Sequence, residues 1–175
     1  VSDAIRDSCN VFFYTTGFNL AAKDTGTYDD ANGIAYIQKY ASIYGLNQKT
    51  GIEIEENTPE IATEFPVMAA IGQSDNNFTT VSLSRYVTAV ASGKLYNYQL
   101  MSRIVDINGN VIESYEPEYT DISDTLNAGQ WDAIHSGMRM VVENLDSFEG
   151  FEIPVAGKTG TAQQVETRPN HALFV

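Results

Sequence analysis

The sequence predicts an α+β domain in which amphipathic helices accompany antiparallel strands. Apolar residues recur at three- and four-residue spacing in several segments, which is the pattern of helices with one buried face. The dipeptide Asn108–Gly109 lies between two apolar runs and is a strong signal for a β-hairpin. A second strand–turn–strand pattern closes the chain, with a polar turn at 163–170.

The first helical pattern covers residues 2–23 and is interrupted at Ser8–Cys9–Asn10. Serine and asparagine favour caps and turns over helix interiors, so a turn is expected there and a new helix near Asn10. Taken alone, this triplet favours a simple helix cap. The remaining helices are expected at residues 34–44, 80–92 and 127–144.

The extended segments are shorter and less regular than the helices. Residues 50–55 alternate apolar and polar, which predicts an extended piece with Glu53, Glu55 and Glu56 on a solvated face. Residues 116–124 are expected to form an acidic connection. The other strands are expected at residues 100–107, 111–115, 151–161 and 171–175.

Composition limits the functions open to the chain. The 175 residues carry 10 basic and 23 acidic side chains, a net charge of -13, which argues against nucleic acid and anionic membrane surfaces as partners. The single cysteine, Cys9, excludes an internal disulfide and a cysteine-rich zinc site. No apolar run approaches the length of about 18 residues that predicts a membrane span. We expect neither a metal nor a cofactor.

The segment from Ala156 to Thr161 combines a lysine, two threonines and two glycines in a predicted strand. Glycine allows a second backbone to approach closely, and lysine supplies a compact positive charge, which suits an anionic, peptide-like ligand. A phosphate-binding P-loop would require glycine where Glu152 stands. An edge hairpin with an ordinary surface lysine is the other alternative, and the triplet from Lys158 to Gly160 taken alone favours it.

Several motifs together resemble the class B penicillin-binding transpeptidases, in the same order along the chain. They are Ser8–Cys9–Asn10–Val11–Phe12–Phe13–Tyr14, Tyr44–Gly45–Leu46 with Thr50–Gly51–Ile52, Ala70–Ile71–Gly72–Gln73, Val155 to Gln163, and His171–Ala172–Leu173–Phe174–Val175. The resemblance covers essentially the whole chain and implies a β-lactamase/transpeptidase-like fold, an antiparallel sheet with helices packed on it. Glycine is common in the family where Ser74 stands here.

The nucleophile of the family lies in Ser-x-x-Lys, and no serine of this chain has lysine three residues later. We therefore expect residues 1–175 to be a partial transpeptidase domain that holds the second and third motifs but neither the nucleophile segment nor the last strands. The chain alone is expected to be inactive. The resemblance implies a parent protein anchored in a bacterial cell membrane, with this domain on the extracytoplasmic face and a role in peptidoglycan biosynthesis.

The resemblance implies that the absent serine attacks a D-Ala-D-Ala stem peptide or a β-lactam, and that an amine of a second stem peptide resolves the acyl-enzyme. Ser8 then passes a proton to the leaving nitrogen, Asn10 hydrogen-bonds the substrate amide, and Lys158 supplies positive potential. If this interpretation is correct, the Ser8 hydroxyl and the Lys158 ammonium lie within about 3–4 Å of each other. The two alternatives to a shared site, a helix cap and an unrelated edge lysine, predict no particular distance.

The strand that follows Lys158 is expected to bind the substrate. The hydroxyls of Thr159 and Thr161 bind its terminal carboxylate, the Thr161 N–H forms half of an oxyanion hole, and Gly160 lets the substrate pair along the strand edge. These roles, too, are implied by the resemblance.

Two other functions stay open for the sequence: a β-lactam sensor or catalytically inactive penicillin-binding-like module, and a class A β-lactamase, which the motif spacing disfavours. Self-association is also expected, because without the nucleophile helix apolar residues of the kind of Phe12, Leu83 and Val141 would be exposed. Cys9 is expected to point into the core as an inert thiol.

Overall fold

The computed structural model of the chain describes residues 1–23, 26–163 and 167–175. The final turn expected at 163–170 therefore falls partly outside the described residues. Two compact units are present, and each is described by itself. The first comprises Val1–Tyr40, Ile61–Asn76 and Thr125–Val175, and the second comprises Ala41–Glu60 and Asn77–Asp124.

The helices of the described residues follow the predicted order, with one short addition, α4. They are α1 (Ser2–Arg6), α2 (Asn10–Ala22), α3 (Asp30–Ile43), α4 (Pro66–Ala69), α5 (Thr80–Ser92) and α6 (Ala128–Glu143), with short 3-10 turns at Ser123–Thr125 and Asp146–Phe148. No helix in this part of the chain has the length and apolar character needed to cross a membrane.

Local capping explains where two strongly amphipathic helices, α5 and α6, begin and where α5 ends. The Thr79 side chain accepts a hydrogen bond of 3.1 Å from the Ser82 amide at the start of α5, and Gly93 ends that helix with a φ of 69°. Asn127 and Gln130 form a reciprocal capping box at the start of α6. Both starts agree with the sequence prediction.

In the described part of the chain the strands form three separate antiparallel pairs, which confirms the predicted α+β class. They are β1 (Lys94–Tyr96) with β4 (Tyr119–Asp121), β2 (Arg103–Val105) with β3 (Val111–Ser114), and β5 (Thr159–Ala162) with β6 (His171–Phe174). The β2–β3 hairpin turns at Asn108–Gly109 as predicted, and Asp106 stabilises the turn by accepting hydrogen bonds of 2.8 Å from the amides of Asn108 and Asn110.

The other extended segments differ in part from the expectation. Residues 50–55 form no strand. Glu53 and Glu55 are exposed as expected, whereas Glu56 is half-buried. Glu53 accepts from the Leu100 amide at 2.6 Å and Glu56 from the Thr50 amide at 2.6 Å. The acidic connection at 116–124 contains β4, which the sequence did not reveal.

The core of the first unit depends on small residues where helices meet. A Cβ added to Gly17 of α2 would lie 2.6 Å from the Pro66 carbonyl oxygen, and one added to Gly33 of α3 would lie 2.7 Å from the Pro66 Cβ. These helices therefore pack directly on α4. A small cluster of Ile34, Ala62 and Ala69 fills the space beside this contact.

The second unit contains a buried arginine. Arg85 of α5 is 1% exposed, and its guanidinium donates to the carbonyl oxygens of Gly45, Gln48 and Lys49 at 2.5, 3.0 and 2.9 Å. Because a buried charge requires several hydrogen-bond partners, Arg85 ties the turn after α3 to α5.

Candidate active site

Ser8 lies at the sharp turn between α1 and α2, in the first unit. Its backbone is left-handed, with a φ of 49°, which non-glycine residues seldom adopt. Hydrogen bonds from the Ser8 amide to Ile5 O (3.3 Å) and from the Cys9 amide to Ala4 O (2.9 Å) close the turn. As predicted, the turn separates two helices, and it leaves the Ser8 side chain exposed.

Lys158 precedes β5 and continues its pairing with β6 by one residue. Its amide donates to Val175 O at 2.8 Å, and the Val175 amide donates back to Lys158 O at 3.1 Å. The strand begins later than predicted, at Thr159, because residues 151–157 have no partner strand in the described part of the chain.

The Lys158 Nζ donates a hydrogen bond to the Ser8 Oγ, across 150 residues of sequence. It also donates to the Thr159 carbonyl oxygen at 2.8 Å and lies 3.5 Å from the Thr159 Oγ1. The predicted contact between Ser8 and Lys158 is therefore present, and a helix cap with an unrelated lysine gives no reason for it. The catalytic roles of the two residues stay predictions.

Lys158 is half-buried, and this burial lowers the pKa of its ammonium below the ordinary value. The charged form loses part of its hydration, and its hydrogen-bond acceptors among the described residues are neutral oxygens. An amine of lowered pKa next to a hydroxyl can exchange a proton with it more readily than an exposed lysine can. The pair of Ser8 and Lys158 is thus chemically suited to relay a proton.

The two threonines of β5 share one strand face, and both are exposed. Thr159 is paired in register with Phe174 and Thr161 with Ala172, so their side chains point to the same side, opposite to Gly160. Within the described residues β6 is the only strand paired with β5. The other edge of β5 can therefore accept an extended ligand.

The two glycines of this segment have different surroundings. A Cβ on Gly157 would lie 2.5 Å from the Val175 carbonyl oxygen and would collide with the Phe174 ring. A Cβ on Gly160 would meet only the Leu173 Cβ, at an ordinary 3.8 Å. Packing inside the chain therefore requires glycine at position 157, whereas a larger residue at position 160 would not collide with the chain.

Asn10 is the first residue of α2 and is exposed, two positions after Ser8. Its predicted role toward a substrate amide stays a prediction. Cys9 is half-buried, and its expected inertness stays a prediction. Of the residues expected to be uncovered, Phe12 is 39% exposed, but Val141 is 4% exposed, because α6 packs that face within the first unit.

Sequence reasoning missed the part of α6 that touches the site. The Gly157 amide donates to the Met138 carbonyl oxygen at 3.1 Å, and Arg139 donates to the Val155 carbonyl oxygen at 2.7 Å. An available signal was Gly137, an isolated glycine within a strong helical pattern, which usually has a packing reason. Among the residues described, no group of three or more acidic, histidine or cysteine side chains is arranged to hold a metal ion.

Comparisons with known proteins agree with this geometry. The family model described as "Penicillin binding protein transpeptidase domain" matches residues 1–175. Penicillin-binding protein H of Bacillus subtilis is 28% identical over 181 residues, covering 91% of this chain and 25% of that protein. Peptidoglycan D,D-transpeptidase MrdA of Haemophilus influenzae is 28% identical over 196 residues, covering 97% of this chain and 27% of that protein.

A solved structure of penicillin-binding protein 2B from Streptococcus pneumoniae strain R6 shares the fold. It superposes with a TM-score of 0.78 at 20% identity, over 99% of this chain and 32% of the other. The chain thus spans about a quarter of the length of the two relatives above and about a third of this structure.

Proposed function

The chain belongs to the penicillin-binding protein transpeptidase family, and from this premise we propose that it supplies part of the active site of a peptidoglycan D,D-transpeptidase. The observation that carries the proposal is the hydrogen bond between the Lys158 Nζ and the Ser8 Oγ. It joins the two motifs on which the sequence interpretation depends.

The proposed reaction is acyl transfer through a serine that follows the Ser-x-x-Lys pattern, which is not found among these 175 residues. The serine oxygen forms an ester bond to the carbonyl carbon of the D-Ala-D-Ala bond and gives up its hydroxyl proton to the site, and the bond to the leaving nitrogen breaks. Ser8 and Lys158 pass a proton to that nitrogen, so that D-Ala leaves as a neutral amine. Asn10 holds the substrate amide during this step.

The proposed substrate pairs along the free edge of β5. Its terminal carboxylate lies against the hydroxyls of Thr159 and Thr161, and the Lys158 charge favours it in a chain whose net charge is -13. A carboxylate needs such a local cation, since the overall field opposes it. Gly160 leaves room for the substrate backbone. β-Lactams would occupy the same place, and the protein would act on the extracytoplasmic face of the membrane.

The first experiment uses the 175-residue chain and a longer protein that adds the Ser-x-x-Lys segment. After incubation with penicillin, intact mass should show an adduct on the longer protein only. In that protein Lys158→Ala should slow acylation by about 10²–10⁴-fold, the usual contribution of a positioned proton-transfer group. Lys39→Ala, at an exposed lysine of α3, is the matched control and should react normally.

A stoichiometric adduct on a serine of residues 1–175 would contradict the proposed division of roles. Cross-linking of stem peptides by the longer protein separates a transpeptidase from the alternative, a sensor that binds β-lactams without turnover. Acylation by penicillin with no cross-linked product would favour the sensor.

A further inference from the structure

One turn of α6 touches the helix that leads to Ser8. A Cβ added to Gly137 would lie 2.9 Å from the Ile5 Cβ and 3.0 Å from the Ser2 carbonyl oxygen. The Ser2 hydroxyl donates to the Ala133 carbonyl oxygen, one turn earlier on α6, at 2.9 Å. Helix α1 therefore lies directly on the α6 backbone, and its position determines where Ser8 stands.

The next two residues of α6 hold the segment that leads to Lys158. The Met138 carbonyl oxygen accepts from the Gly157 amide at 3.1 Å, and the Arg139 Nη1 donates to the Val155 carbonyl oxygen at 2.7 Å. The Arg139 Nε donates to the Glu143 carboxylate at 3.0 Å, which fixes the guanidinium for this contact. Three consecutive residues of one helix thus hold both halves of the candidate site.

We propose that Gly137 and Arg139 are positioning residues for the hydrogen bond between Ser8 and Lys158. The importance of this hydrogen bond for catalysis rests on the proposed function. Gly137 sets how closely α1 approaches α6, and Arg139 sets how closely the segment before β5 approaches. A methyl at position 137 would force α1 to retreat by about 0.6–1.1 Å to reach an ordinary carbon–carbon contact of about 3.5–4.0 Å. That displacement separates Ser8 from Lys158.

The test compares variants of the 175-residue chain by NMR titration of the Lys158 side chain, assigned with Lys158→Met. The pKa of Lys158 reports the site, because burial lowers it and separation from Ser8 admits water. Gly137→Ala and Arg139→Gln should each raise it toward the ordinary lysine value. Titration at about 1 M salt, where the Debye length is about 3 Å, screens the direct electrostatic effect of the lost Arg139 charge on the pKa of Lys158.

Gly129→Ala is the matched control, because it makes the same substitution on the same helix. Its added Cβ would meet only the Asn127 Oδ1, at an ordinary 3.5 Å, so the pKa of Lys158 should stay unchanged. Arg139→Lys keeps one donor for the Val155 carbonyl, so the pKa of Lys158 should stay nearly as low as in the parent chain. A role limited to overall stability would lower the melting temperature without changing the pKa of Lys158.

A folded Arg139→Gln variant with an unchanged pKa of Lys158 would overturn the proposal, as would a folded Gly137→Ala variant that titrates like the parent. If Gly137→Ala does not fold, Arg139→Gln decides, because its side chain is exposed and its loss leaves the core intact. The titration needs no substrate. Failure of the penicillin experiment and failure of this inference are therefore distinguishable.

Discussion

Alanine substitution of the two glycines around Lys158 should separate packing from ligand binding. In Gly157→Ala the new methyl would lie 2.5 Å from the Val175 carbonyl oxygen and against the Phe174 ring. The ring itself is held by Phe148, at a centroid distance of 5.2 Å. The strain must therefore open the end of the β5–β6 pair, where Lys158 and Val175 exchange two backbone hydrogen bonds.

The size of the effect follows from two opposing contributions. Overpacking costs about 1–3 kcal/mol, and loss of glycine freedom in the unfolded chain returns about 0.4–1 kcal/mol. Gly157→Ala should thus lose roughly 1–2 kcal/mol of unfolding free energy, or about 2–8 °C in melting temperature for a chain of this size. Gly160→Ala meets only an ordinary contact of 3.8 Å and should be neutral or slightly stabilised.

Urea unfolding followed by circular dichroism measures both variants against the parent chain. Penicillin acylation of the longer protein supplies the second readout, in which Gly160→Ala should react more slowly despite its full stability. Equal unfolding midpoints for the two variants would refute the packing argument. Normal acylation of Gly160→Ala would refute the assignment of Gly160 to the ligand edge.

Three further predictions concern stability. Hydrogen bonds from the hydroxyl and amide of Thr63 lower the pKa of Asp75 to about 2. The stabilising contribution of this carboxylate is therefore complete above the ordinary carboxyl pKa of 3.8 and is lost as the pH falls toward 2. Asp75→Asn should remove this pH dependence from urea midpoints measured between pH 2 and 5. Asn127→Ala deletes the capping box of α6 and should cost about 1 kcal/mol in urea unfolding. Arg85→Lys replaces two donor nitrogens, which together reach three carbonyl groups, with a single ammonium, and it should cost roughly 1–3 kcal/mol. An unchanged melting temperature would contradict the structural role of Arg85.

Short-range patterns in the sequence were sufficient for the described helices other than α4 and for one hairpin. The capping residues Thr79 and Asn127 and the turn at Asn108–Gly109 act through neighbours a few residues away, so their signals are complete in the local sequence. The break at Ser8 is of the same kind. These features would be expected in almost any fold that contains the same segments.

The tertiary structure alone decided which distant segments meet. Strand β1 has three residues and no alternation of burial, and its partner β4 lies in a connection that reads as acidic loop. Glu53 is exposed, yet it accepts hydrogen bonds from the Leu100 and Met101 amides of a distant segment. Such pairings depend on loop closure and on packing across the unit, and a short stretch of sequence does not reveal either.

The candidate site shows the same division. The order of the motifs, through their resemblance to the transpeptidase family, was enough to predict a site at Ser8, Asn10 and Lys158 to Thr161. Only the tertiary structure decided that the Ser8 Oγ and the Lys158 Nζ touch, since 150 residues separate them. The physical reason is α6: Gly137 admits α1 on its backbone, while Met138 and Arg139 bind the segment before β5.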